Sequence, residues 1–93
     1  MTDEAYLAVV RKRIRMARLS RGLRQEDVAE KLGISVRSYQ RYEMGRLDKR
    51  FNPYALTLRR IAVTLGEDVA EIVREPTNGE LRALESPDVH RRA

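Results

Sequence analysis

An apolar stripe at helical spacing runs through the first part of the chain. It consists of Tyr6, Val10, Ile14 and Ala17. Because these residues recur every three or four positions, they share one face of a helix. Thr2 or Asp3 can cap the start of this helix, and Gly22 is placed to end it. The pattern therefore predicts a long first helix.

Basic residues cover the other faces of the first helix. They are Arg11, Lys12, Arg13, Arg15, Arg18 and Arg21. Two interpretations are open: the side chains face phosphate groups, or they keep a surface helix solvated.

Two shorter helices are predicted next, separated by a glycine. The second helix spans 25–32, because Val28 and Ala29 lie on its inward face and Glu26 suits its first turn. Gly33 permits the left-handed backbone of a sharp turn, and Ile34 is expected to insert into the core.

The third helix carries the most informative pattern. Ser35 can cap it, and it is predicted to span 36–44. At about 100° per residue, Tyr39 and Tyr42 face inward and four other residues lie on the opposite face. Those four are Val36, Arg37, Gln40 and Arg41. Arginine and glutamine match guanine and adenine edges, and valine can touch a thymine methyl group. Ordinary solvent exposure of polar residues is the alternative.

Two further helices and a tail complete the prediction. Pro53 suits the first turn of a fourth helix that ends at Gly66 and has Leu56, Ile61 and Leu65 as apolar residues. A short fifth helix follows and ends near Val73. Residues 74–93 contain two prolines and scattered charge, so we expect a flexible C-terminal tail. The predicted fold is all-α: a compact five-helix domain over residues 1–73, with an extended first helix and a short tail.

The composition favours nucleic acid as a partner and excludes several kinds of site. The chain of 93 residues has 19 Lys and Arg against 14 Asp and Glu, a formal net charge of +5, and most of the cations are arginine. Such a surface attracts phosphate, although solvation alone would also explain it. The chain has no cysteine, and its one histidine is His90. We therefore expect no disulfide, no metal site and no cofactor.

Catalysis is not expected. The acidic residues Glu26, Asp27, Glu67 and Asp68 occupy first turns of helices, where the helix dipole explains them. No nucleophile and base pair and no glycine-rich phosphate loop is present in the sequence. The opening residues are too acidic for a signal peptide, and no apolar stretch is long enough for a membrane span. We predict a non-enzymatic cytoplasmic protein.

An ordered set of markers resembles the lambda-repressor-like (XRE-type) helix-turn-helix family. The markers lie between residues 10 and 73 and are Arg18, Gly22-Leu23, Gln25, Ala29, Leu32-Gly33, Ser35, Glu43-x-Gly45 and the segment from Pro53 to Gly66. The resemblance implies a helix-turn-helix unit over residues 25–44. In it, the second helix lies over the DNA backbone and the third, the recognition helix over residues 36–44, enters the major groove.

The resemblance also implies roles for individual residues. The residues expected to contact bases are Val36, Arg37, Gln40 and Arg41. The residues expected to contact phosphates are Gln25, Ser38, Arg24, Arg46, Lys49 and Arg50. Arg18 and Glu43 are expected to form a partly buried ion pair that sets the angle of the third helix.

The chain departs from the family pattern in three places. Arg24 replaces the usual serine or threonine cap before Gln25, and the stretch between Gly45 and Pro53 is longer than is common. The first helix also begins early, so that its first apolar residues either cover an interface or pack within the monomer.

We therefore expect a sequence-specific double-stranded DNA-binding transcriptional regulator, acting as a repressor and as a homodimer on a palindromic operator. The alternative is an antitoxin or protein-interaction module whose residues 74–93 bind a partner protein.

Overall fold

A computed structural model describes residues 1–44 and 55–85 of the chain. Six helices form in these two ranges, and no strand does. They are α1 Asp3–Ser20, α2 Gln25–Leu32, α3 Val36–Gln40, α4 Ala55–Leu65, α5 Val69–Val73 and α6 Asn78–Glu85. The predicted all-α class is confirmed.

One apolar cluster holds the first five helices together. Each contributes buried side chains: Val10, Ile14 and Ala17 from α1, Val28, Ala29 and Leu32 from α2, Tyr39 from α3, Leu58, Ile61, Ala62 and Leu65 from α4, and Ile72 from α5. These residues follow the helical spacing of the sequence, so the apolar stripes of the separate helices meet in one core. Tyr42 is partly buried and packs against this core.

Two predicted core residues are on the surface instead. Ile34 is 36% exposed and Leu56 is 65% exposed. Leu56 lies in the first turn of α4, where Leu58 takes the inward position. Ile34 belongs to the turn after α2. Its backbone N–H donates to the Ala29 carbonyl, while its side chain is exposed at the surface.

The third helix is shorter than predicted. We expected it to reach Met44, but α3 ends at Gln40 and the chain continues as turns. Tyr42 N–H donates to the Tyr39 carbonyl and Glu43 N–H to the Gln40 carbonyl, which are bonds across three residues rather than four. Such tightening is common in the last turn of a helix.

A sixth helix forms where a flexible tail was predicted. Thr77 caps α6 in a reciprocal arrangement: its hydroxyl accepts from Glu80 N–H at 3.1 Å, and the Glu80 carboxylate accepts from Thr77 N–H at 2.9 Å. This is a capping box. The helix packs on α1. The described part of the chain therefore has six helices, where five were predicted.

Arg13 attaches this C-terminal segment to α1. Its guanidinium binds the Glu80 carboxylate with two contacts of 2.9 Å. It also donates to the carbonyls of Ile72, at 2.8 Å, and Arg74, at 2.7 Å. Nearby, the Tyr6 hydroxyl donates to the Val73 carbonyl. Arg13 was expected on a solvated or phosphate-facing surface, but its hydrogen bonds hold the C-terminal segment against α1.

Candidate nucleic-acid interface

The turn between α2 and α3 fixes the geometry of the helix pair. Gly33 has φ 73°, a left-handed conformation that costs glycine little. Its N–H donates to the Glu30 carbonyl and closes the end of α2. Ser35 then caps α3, because its hydroxyl accepts from Ser38 N–H at 3.0 Å. The turn therefore has one predicted cap on each side: Gly33 at the end of α2 and Ser35 at the start of α3.

A buried ion pair joins the end of α1 to the segment after α3. Arg18 Nε donates to Glu43 Oε2 at 2.7 Å and Nη2 to Oε1 at 2.9 Å, while Nη1 donates to the Leu23 carbonyl at 2.8 Å. The residues are 8% and 4% exposed. This bidentate pair braces α3 against α1 and against the chain between α1 and α2.

The pair also fixes the charge of Glu43. Burial alone would raise the pKa of this carboxyl, but hydrogen bonds from Arg18 and Gln25 outweigh burial and hold the pKa below its ordinary value. Burial and the neighbouring carboxylate raise the pKa of Tyr39, so its hydroxyl stays protonated. Glu43 is therefore an anion and Tyr39 is neutral at physiological pH.

The outward side of α3 and the turn directly after it carry the residues expected to contact bases. Arg37, Gln40 and Arg41 are exposed, and the structure brings them onto the surface beside α2. Val36 is half-buried and packs against the core, so only part of its side chain faces outward. The arginines and the glutamine can donate to base edges, and the glutamine can also accept.

Three of the six residues expected to contact phosphates belong to the described part of the chain. Gln25 is half-buried at the start of α2, and Ser38 is exposed on α3. Arg24 is exposed and binds Asp27 Oδ1 at 3.1 Å. The Asp27 carboxylate also accepts from Arg24 N–H, which is the half of a capping box that needs no serine or threonine. Arg46, Lys49 and Arg50 lie outside the described residues.

Two features of the site were not anticipated from the sequence. Gln25 hydrogen-bonds to both Glu43 and Gln40, and these contacts cross 18 and 15 residues of chain, beyond any local pattern. Arg60 of α4 borders a cleft of about 250 Å³ with Ser38 and Arg41. Its exposed position in an amphipathic helix was the only available signal.

A comparison with known protein families identifies the family of the chain. The family model for the helix-turn-helix HTH_3 matches residues 14–72. The chain belongs to this XRE and lambda-repressor-like helix-turn-helix family. The resemblance predicted from the sequence is confirmed, and with it DNA binding in transcription regulation as the general function. Proteins of the family are typically not enzymes.

No curated protein and no solved structure matches the chain significantly. In the two described ranges, none of the helices of this family member is long and apolar enough to cross a membrane. Within the same ranges, no group of three or more histidine, aspartate or glutamate side chains is placed to hold a metal ion.

Proposed function

We propose that the protein is a sequence-specific double-stranded DNA-binding transcriptional regulator. The observation that carries the proposal is the outward side of α3, where Arg37 and Gln40 are exposed and Arg41 is exposed directly after the helix. A buried ion pair holds this helix in place. A rigid helix with such side chains fits the major groove, whose base edges present acceptors and donors in a distinct pattern for each base pair.

Each residue has a role in this proposal. Arg37 and Arg41 donate to guanine edges, Gln40 reads adenine, and the outward part of Val36 contacts a thymine methyl group. Phosphate contacts from Gln25, Ser38, Arg24, Arg46, Lys49 and Arg50 set the position of the domain on the duplex. Arg18 and Glu43 contact no DNA and hold the angle of α3.

The protein acts in this proposal as a homodimer and as a repressor on a palindromic operator. A single α3 reads few base pairs, which gives limited affinity and specificity. Two copies related by a twofold axis place two recognition helices about 34 Å apart, one turn of the duplex. The two half-sites then add their binding energies.

Selection of bound sequences from random duplexes tests the proposal. A defined sequence should be enriched, and Arg37→Ala and Arg41→Ala should each relax the preference at particular base pairs by about 1 to 3 kcal/mol. Lys49→Ala is the control, because loss of a phosphate contact should weaken binding to all sequences alike. If both arginine variants kept the full preference of the parent, the assignment of base readout to α3 would be wrong.

A second candidate function is an antitoxin or protein-interaction module that binds a partner protein through residues 74–93. An open groove between α1, α5 and α6 favours it, because Val9, Ile72 and Ala83 line the groove and Met16 is 52% exposed. A partner that co-purifies with the chain should be lost in Met16→Glu. It should be kept in Leu19→Glu, which adds the same charge at another exposed position of α1.

A further inference from the structure

The groove between α1, α5 and α6 lies apart from the proposed DNA-contacting surface. Its volume is about 590 Å³, and its lining residues come from α1, from α6, and from α5 with the residues beside it. None of the described residues that line it belongs to α2 or α3. A molecule can therefore fill the groove while the outward side of α3 stays open to DNA.

The apolar surface of the groove is only partly covered in the monomer. Val9 and Ile72 are buried among its lining residues, but Met16 is 52% exposed, and Ala83 of α6 is exposed as well. None of the residues of α6 is buried, although this helix packs on α1. An amphipathic helix gains stability when its apolar face leaves the water. A further protein surface over α1 and α6 would bury the apolar area that the monomer leaves exposed.

The two sides of the groove carry charges of opposite sign. Lys12 is exposed on α1, and Glu67 is half-buried two residues before α5. Within the described part of the chain, neither side chain forms a salt bridge or a hydrogen bond. Two arginines that also line the groove, Arg13 and Arg74, are both paired with Glu80. A surface with a cation at one side and an anion at the other is complementary to a second copy of itself.

A twofold arrangement brings these charges together. If the twofold axis runs along the groove, the rotation places the α1 side of one copy over the α5 side of the other. Lys12 of each protomer then lies opposite Glu67 of the partner subunit, and the interface contains this pair twice. Met16 is covered in the same arrangement. A partner of another sequence would match both charges only with a suitable pair of its own.

We propose that two copies of the chain form the homodimer through this groove. The inference rests on the proposed function, which places two copies on a palindromic site, and it names the surface that joins them. The interface also depends on α6, because Gly79, Glu80 and Ala83 line the groove and Arg13 holds that helix against α1.

Sedimentation equilibrium of the full chain without DNA tests the interface. The parent should be a dimer, and Met16→Glu should raise the dimer Kd about a hundredfold, because a twofold interface would bury the added carboxylate twice. Val63→Glu is the matched control. Val63 is an apolar residue of α4 that is 65% exposed and lies outside the groove, so this variant should keep the dimer Kd of the parent.

Charge reversal tests the match between the two sides of the groove. Lys12→Glu and Glu67→Lys should each raise the dimer Kd about tenfold, since each places like charges opposite one another twice. Lys12→Glu/Glu67→Lys should return the Kd to near the value of the parent, because the opposite charges face each other again. Thermal unfolding of each variant verifies that the measurement is made on folded protein.

Several results would overturn the assignment of the groove. These are a parent that stays monomeric, a Met16→Glu variant with the Kd of the parent, and equal dissociation by Val63→Glu and Met16→Glu. A different protein that co-purifies and is lost in Met16→Glu, while the dimer persists, would assign the groove to that protein instead.

The dimer and the proposed function can fail separately. A monomeric parent that still enriches a defined DNA sequence would overturn the inference and leave sequence-specific binding standing. A parent that dimerises through the groove but enriches no sequence would overturn the proposed function and support the interface.

Discussion

All three guanidinium nitrogens of Arg18 leave water when the chain folds, and all three find acceptors. Two reach Glu43 and the third reaches the Leu23 carbonyl. A buried ion pair gains little net free energy when it is well satisfied, because desolvation offsets the attraction between the charges. Its loss is costly, since the remaining charge is then buried without a partner. The pair therefore specifies the position of α3 more than it adds stability.

Replacing Arg18 should destabilise the fold more than replacing an exposed arginine that also pairs with a carboxylate. Arg18→Ala should lower the free energy of unfolding by about 3 to 5 kcal/mol, because Glu43 is left buried and unpaired. Urea unfolding followed by circular dichroism measures the change. Arg24→Ala is the matched control: its side chain is 75% exposed beside Asp27, and we expect little change. Equal effects in the two variants would contradict the structural role of Arg18.

Glu43 should also give the stability a defined pH dependence. Its folded pKa lies below the ordinary value of 4.5, so the folded state binds a proton less readily than the unfolded chain. The contribution is full above the unfolded pKa and is lost as pH falls through the folded pKa. Glu43→Gln should show a flatter loss of stability than the parent below about pH 4.5. Unfolding curves at neutral and acidic pH test this, and parallel losses would contradict it.

At the scale of the helices, the sequence predicted the features that depend on residues a few positions apart. The bounds of α2 match the prediction because Val28 and Ala29 and the turn at Gly33 are all signals within a few residues. The end of α3 did not match, because the turn after Gln40 carries Glu43 toward Arg18, 25 residues earlier in the chain. Contacts at such separation leave no periodic signal in a single sequence.

The basic residues of α1 also make long-range contacts that a single sequence does not reveal. Arg18 meets Glu43, and Arg13 meets Glu80 across 67 residues. Arg21 donates to the Gly66 carbonyl, and Arg11 is 2% exposed. A single sequence shows only that these side chains are cationic and lie off the apolar stripe. The capping box of α6, by contrast, was readable: Thr77 and Glu80 stand at the required spacing, followed by Leu81 and Leu84.

The docking of α6 should depend on the ion pair between Arg13 and Glu80. Glu80→Gln keeps an acceptor for the Thr77 cap, because glutamine also serves in capping boxes, but it removes the charge that faces Arg13. Amide hydrogen exchange in residues 78–85 should become faster, and Arg13→Ala should have a larger effect because it also loses contacts to two carbonyls. The rates in α2 should not change.

Glu85→Gln is the matched control for this measurement, since Glu85 is exposed at the last position of α6. It removes the same charge from the same helix without touching the contact with Arg13. If Glu80→Gln and Glu85→Gln changed exchange equally, helix charge rather than the ion pair would explain the effect.

At the scale of the whole molecule, the cations behind the formal net charge of +5 have different roles. Arg13 and Arg18 are committed to carboxylates within the fold and are not available for phosphate. Arg37 of α3 and Arg41 directly after it are exposed, and Arg60 borders the same cleft as Arg41. In the proposed DNA complex, this local surface rather than the net charge of the chain attracts the phosphates.

This distribution gives the proposed DNA complex a specific dependence on salt. If a complex neutralises about six phosphates, the logarithm of the association constant should fall with the logarithm of salt concentration with a slope near −5. Arg24→Ala should make the slope shallower by about 1, because one phosphate contact is lost. Arg82→Ala removes an equal charge from α6, which packs on α1, and should leave the slope unchanged. Fluorescence anisotropy of a labelled duplex at several salt concentrations measures all three slopes. Equal reductions in the two variants would mean that net charge, and not the surface around α3, controls binding, because only net charge treats the two positions alike.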